Sequence, residues 1–82
     1  MEKIINDVKE IVASAIDLEV DEFKNDDHLY NDLGADSVIG FEIIIKLQKK
    51  FGIKIDTKEA PTLMTVNKMA ELVTAKMATA EK

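Results

Sequence analysis

The sequence predicts an all-α domain, a small four-helix bundle of three main helices plus one short helix, with a long loop after the first helix. Three observations carry that expectation. Apolar residues recur at three-and-four spacing in three separate segments, strand-like alternation is missing, and capping or stop residues bracket the segments. A chain of 82 residues has room for one hydrophobic core, so residues 1–82 are read as a single domain.

The first helix is expected over residues 3–16, where Ile4, Ile5, Val8, Ile11, Val12, Ala15 and Ile16 share one face and charges fill the other. From Asp17 to Asp36 the composition changes: Asp17, Glu19, Asp21, Glu22, Asp26, Asp27, Asp32 and Asp36 oppose Lys24 alone. Leu18, Val20, Phe23, Leu29 and Leu33 punctuate this stretch, which predicts an ordered loop pinned to the core, with a single helical turn near His28 to Asn31. Asn31-Asp32-Leu33-Gly34 reads as a turn. Asp36 is a good cap for a second helix running to about Phe51, and Gly52 supplies the stop. Asp56 or Thr57 is expected to cap a brief third helical piece that Pro61 shortens or ends, since proline lacks the amide donor. Thr65 then caps a last helix carrying Val66, Met69, Ala70, Leu72, Val73 and Met77, with a frayed tail over Ala78 to Lys82.

Composition narrows the function classes. The 46% hydrophobic and 33% charged content fits a folded domain, but one this small has little room for a large buried catalytic apparatus, so an enzyme is not expected. Acidic residues outnumber basic ones 16 to 11, for a net charge of −5, and every basic residue is Lys. A phosphate-backbone binder needs a basic stripe, usually with Arg, so nucleic acid is disfavoured, and a membrane surface likewise. The absence of Cys excludes disulfides, zinc clusters and thiol catalysis by the chain's own residues. The N-terminal residues lack a signal-peptide apolar run and no later stretch approaches a bilayer span, so no membrane insertion and a cytoplasmic location are expected.

The second helix has two apolar faces. Gly40, Ile43, Ile44, Leu47 and Phe51 fall together at about 100° per residue and form the core face. Val38, Phe41 and Ile45, at i, i+3 and i+7, fall on another side and look like a docking patch beside a turn. Glycine in a helix interior costs about 1 kcal/mol relative to Ala. Gly40 is therefore expected to admit either a closely packed helix or a buried guest.

Ser37 follows the capping Asp36 at a helix start, where free amides and the helix dipole permit an attached phosphate; taken alone, such a serine is usually only a cap residue. The surrounding Gly34-Ala35-Asp36-Ser37-Val38-Ile39-Gly40 lacks G-x-S-x-G spacing, so a hydrolase elbow is not supported. His28, the sole histidine, has no second His or Cys for a metal site and reads as an exposed loop residue. Calcium-loop frames starting at Asp17 or Asp32 put the wrong residues at the glycine and bidentate-glutamate positions. No metal site and no catalytic residue is assigned.

The run Asp32-Leu33-Gly34-Ala35-Asp36-Ser37, at the start of the second helix after an acidic loop, resembles the acyl carrier protein family. The likeness extends over nearly the whole chain, through Phe23, Leu29, Phe51, Ile55 and the Thr65-Val66 helix start. It implies a 4'-phosphopantetheine arm from coenzyme A, attached to the Ser37 hydroxyl as a phosphodiester by a phosphopantetheinyl transferase that uses magnesium and recognises Asp36. The arm's thiol would hold acyl groups as thioesters in fatty acid or related lipid biosynthesis, a specialised pathway included. The resemblance further implies acyl-transferring, condensing or modifying enzymes docking at Val38, Phe41, Glu42 and Ile45, an acyl chain buried in the bundle, and a monomer. Two alternatives stand beside it: a carrier of aminoacyl, peptidyl or polyketide units, and a cofactor-free helical interaction module. The chain departs from the common fatty-acid type after Ser37, with Val38 and Ile39 where Leu and an acidic residue are usual. Lys46, Gln48, Lys49 and Lys50 also replace acidic character, so Asp36 and Glu42 face three Lys over residues 36–51, net +1.

Overall fold

Three α-helices of 15 residues each carry the core in a computed structural model that describes residues 2–56 and 58–80, with side chains through 78. They are α1 (Glu2–Ile16), α2 (Ser37–Phe51) and α3 (Val66–Ala80), joined through 3-10 turns at Val20–Glu22 and Ala60–Thr62. No strand occurs among the described residues. The architecture is the expected all-helical bundle with a long first loop.

Helical periodicity decides which residues meet. Val8, Val12 and Ala13 of α1 pack with Ile43 and Leu47 of α2 and with Val66, Met69, Ala70 and Val73 of α3. Flanking apolar residues such as Ile4, Ile44 and Phe51 are only partly covered. Both α1 and α2 stop in the same way. The chain turns into the left-handed region at Asp17 (φ 62°) and at Gly52 (φ 64°), and the next amide reaches back to the helix: Leu18 N donates to Ala13 O (3.0 Å) and Ile53 N to Gln48 O (3.2 Å).

The short connection before α3 differs from expectation. Asp56 O accepts the Glu59 and Ala60 amides, but the 3-10 turn itself begins after Glu59 and contains Pro61. Proline is tolerated in the first turn of a helix because its fixed φ suits the geometry and its missing donor has no partner there. Thr57, the other proposed cap, lies outside the described residues. Thr65 caps α3 as expected, its Oγ1 accepting the Lys68 amide at 3.1 Å. Helix α3 continues through Ala78 to Ala80, further than the frayed tail predicted; the last two residues of that tail lie outside the described set.

The acidic loop is ordered by its own carboxylates. Glu22 accepts the Glu19 amide (2.7 Å), Asp27 the Lys24 amide (2.8 Å) and Asp32 the His28 amide (2.7 Å), each bracketing three or four residues. Asp26 accepts the Asn67 side-chain amide, and Leu29 N donates to Met64 O (2.7 Å), so the loop is tied to the segment that starts α3. Phe23 and Leu29 are the apolar pins, 6% and 2% exposed, and Lys9 lies 5.1 Å over the Phe23 ring. Burying such a side chain stabilises the fold by about 1.5–3 kcal/mol, which holds a loop otherwise crowded with like charge.

Candidate functional site

The loop delivers the chain to α2 through a fixed sequence of bonds. Ala35 N donates to Leu29 O (3.1 Å), Gly34 sits at φ 70° where a side chain would strain the turn, and Asp36 follows in extended conformation as the cap. Asp36 Oδ1 accepts the Ile39 amide at 2.9 Å and Asp36 O accepts the Gly40 amide at 3.0 Å. Ser37 is thereby the first residue of a 15-residue helix, and it is exposed. No acceptor for the Ser37 and Val38 amides is found among the described residues, so the positive end of the helix faces solvent at the Ser37 hydroxyl. The chain's other serine, Ser14, lies inside α1, away from any helix end.

Beside Ser37 runs the patch read from the sequence. Val38, Phe41 and Ile45 are 72%, 60% and 43% exposed, whereas Ile43 and Leu47 on the opposite face are fully buried. Glu42 pairs with Lys46 at 3.5 Å within the same helix, which leaves Lys49 and Lys50 as the exposed charges toward its end. Phe41 and Ile45 also edge an apolar groove of about 250 Å³, completed by Ile44, Ile55 and Ala60. Gln48 closes it, its Oε1 accepting the Ile55 amide at 2.8 Å.

Two expectations need correction. Gly40 admits neither a neighbouring helix nor an open guest space: a β-carbon there would collide with the Tyr30 hydroxyl and lie 3.3 Å from Tyr30 Cζ. The space is taken by a side chain from the loop. His28 is half-buried rather than exposed, and its Nδ1 accepts the Tyr30 and Asn31 amides at 3.2 and 3.1 Å, capping the turn that holds Tyr30. The pattern of His28 followed four residues later by Asp32, each bonding the other end of one turn, is the sequence signal that identifies that role.

The family pattern described as the phosphopantetheine attachment site matches residues 6–73. This span holds α1 from its first turns, the whole acidic loop, α2 and half of α3. The chain belongs to the acyl carrier protein family. Its relatives include the acyl carrier protein of Sulfurovum sp., 38% identical over 63 residues that cover 77% of this chain and 84% of the relative. The acyl carrier protein of Wolinella succinogenes is 33% identical over 70 residues, 85% of this chain and 92% of the relative. Polyketide-8 synthase acyl carrier protein 2 of Streptomyces avermitilis is 31% identical over 70 residues, 85% and 80% of the two chains.

As a member, the protein is a phosphopantetheine-carrying acyl carrier, a carrier and not a catalyst, that works with enzymes and a phosphopantetheinyl transferase. The residues at the start of α2 suit the group: an accessible hydroxyl, two free amides and a helix dipole oriented to favour a phosphodiester charge. No described helix is long and apolar enough to cross a membrane.

Proposed function

We propose that Ser37 is the attachment residue and that this acyl-carrier domain, residues 1–82, works as a cytoplasmic monomer. The observation that carries the assignment is the exposed Ser37 hydroxyl at the positive end of α2, held there by the Asp36 cap. In the transfer, a P–O bond forms to Ser37 Oγ while the pyrophosphate bond of coenzyme A breaks and its nucleotide part leaves. The hydroxyl proton goes to a base on the transferase, so Ser37 needs none nearby. The attached arm supplies a thiol that carries acyl groups as thioesters. Asp36 contributes twice in this reading, as the helix cap and as a negative mark beside the reactive serine for the transferase.

Val38, Phe41 and Ile45 supply apolar docking area, and the Glu42–Lys46 pair sits within that surface. Charges around such a patch set encounter rate and reject wrong partners. Lys49 and Lys50 oppose basic partner surfaces, which supports a specialised pathway within fatty acid or related lipid biosynthesis over broad exchange with enzymes that present Lys and Arg. Polyketide units are the second reading of the cargo, favoured by the similarity to the Streptomyces avermitilis carrier.

Intact mass after incubation with coenzyme A, magnesium and a phosphopantetheinyl transferase tests the assignment. Wild type is expected to gain one phosphopantetheine and Ser37→Ala none. A modified Ser37→Ala, or an unmodified wild type under conditions that load a control carrier, overturns it.

A further inference from the structure

We infer that Tyr30 is a displaceable stopper in the wall of the bundle beside Ser37 and that it determines which cargo this carrier shelters. Short or polar groups leave it seated, and a flexible alkyl chain enters only by pushing it aside. The inference rests on the reading that Ser37 bears the arm.

Gly40 is one helical turn beyond Ser37, on the buried side of α2, and it is the place on that face where the helix contributes no side chain; Ile43 and Leu47 follow it, fully buried. A group that folds back from Ser37 meets this low point of the wall first. The Tyr30 phenol fills it, with its hydroxyl against the Gly40 backbone and the His28 ring on its flank, centroids 6.1 Å apart.

Tyr30 is held unlike the two apolar pins of the loop. Phe23 and Leu29 send wholly apolar groups into the core and are nearly inaccessible, whereas Tyr30 is half-buried. No hydrogen bond to its hydroxyl is found among the described residues. Its backbone, by contrast, is fixed. The Tyr30 amide donates to His28 Nδ1, Leu29 N donates to Met64 O, and Leu33 N donates to His28 O. The side chain can therefore rotate out without unmaking the turn. Rotation exposes only the rest of a ring that is already half open to solvent, so the loss is smaller than for a fully buried phenylalanine or leucine. Each methylene that takes the vacated place adds to the driving force for exchange, whereas a two-carbon cargo has too little apolar surface to compete.

Tyr30 is the chain's single tyrosine and there is no tryptophan, so intrinsic emission reports on this residue alone. The full-length protein is loaded with phosphopantetheine bearing either acetyl or octanoyl, and intact mass verifies loading. Acrylamide quenching of the emission and the melting temperature are then measured for both forms. Octanoyl is expected to raise the quenching of Tyr30 about two-fold over acetyl, the signature of a population shifted from seated to displaced. In Tyr30→Val, with the slot already open, the rise in melting temperature from acetyl to octanoyl is expected to exceed that of wild type. Equal quenching of the two wild-type forms overturns the inference while the Ser37 assignment stands, and it does so even where Tyr30→Val folds poorly. Octanoyl stabilisation without a change in Tyr30 emission also overturns it, because the chain then lies elsewhere, as in the groove edged by Phe41 and Ile45. Failure to gain the mass of the arm removes the Ser37 reading and this inference together.

Discussion

The acidic loop before Ser37 and the helix after it use their side chains in opposite ways. In the loop, Phe23 and Leu29 are buried, Val20 alone of its large apolar residues is exposed, and Glu22, Asp27 and Asp32 each accept a nearby backbone amide at the surface, so most of these groups are engaged in holding the loop itself. In α2, Val38, Phe41 and Ile45 are exposed, although the same helix buries Ile43 and Leu47. An irregular segment must replace the missing helical ladder with side-chain bonds and pins. A helix satisfies its own backbone, which leaves one face free for partners. The loop is held by its side chains, and the docking surface proposed for this carrier lies on the helix.

The sharpest way to break this contrast is to truncate one side chain from each region. Leu29→Ala is expected to destabilise the protein by about 2–5 kcal/mol in thermal or denaturant unfolding, as for other buried leucines. Phe41→Ala is expected to stay within about 0.5 kcal/mol of wild type, because an exposed side chain loses little on truncation. It should instead slow loading by the transferase about 10-fold, the size of one lost anchor contact of about 1.4 kcal/mol. If Phe41→Ala unfolds the protein and leaves loading of the folded fraction unchanged, the division of labour is wrong.

The two regions touch at Tyr30 and Gly40, and a double-mutant cycle measures that contact. In a Tyr30→Ala background, Gly40→Ala is expected to stabilise the protein by about 1 kcal/mol through helix propensity. With Tyr30 present the new methyl displaces the phenol, so the gain shrinks or reverses, leaving a coupling of about 0.5–3 kcal/mol. Identical effects of Gly40→Ala in both backgrounds would show that Tyr30 does not depend on the missing side chain.

The smallest effect concerns the far side of the groove. The Glu59 carboxylate accepts the Asp56 amide at 2.9 Å and pairs with Lys76 of α3 at 2.9 Å, and these partners, the amide first, hold its pKa below the usual carboxylate value. A lowered folded-state pKa gives a contribution that is fully present above the ordinary glutamate range, about 4.3, and is lost as pH falls through the lowered value. Wild type is therefore expected to be slightly more stable than Glu59→Gln near neutral pH and equal to it at strongly acidic pH, by melting temperature. A difference that persists at acidic pH would assign the effect to packing instead of charge.

The sequence by itself determined the three helices, because their signals are local: apolar spacing, the Asp36 and Thr65 caps, and the Gly52 stop act within a turn or two. It also separated the two faces of α2, since that follows from angular position alone. The run from Asp32 to Ser37 was enough to point to the family, and it carries the proposal that Ser37 bears the arm. What lay beyond it were contacts between residues distant in sequence or alternatives of equal local cost. Pro61 fits inside a 3-10 turn as readily as it ends a helix. His28 caps its own turn through bonds to residues two to four positions away, a local signal that was present in the sequence but that the reading of an exposed loop histidine missed. Gly40 carries no side chain to announce its neighbour, and only the tertiary path of the acidic loop, pinned by Leu29 to the segment before α3, brought Tyr30 to it.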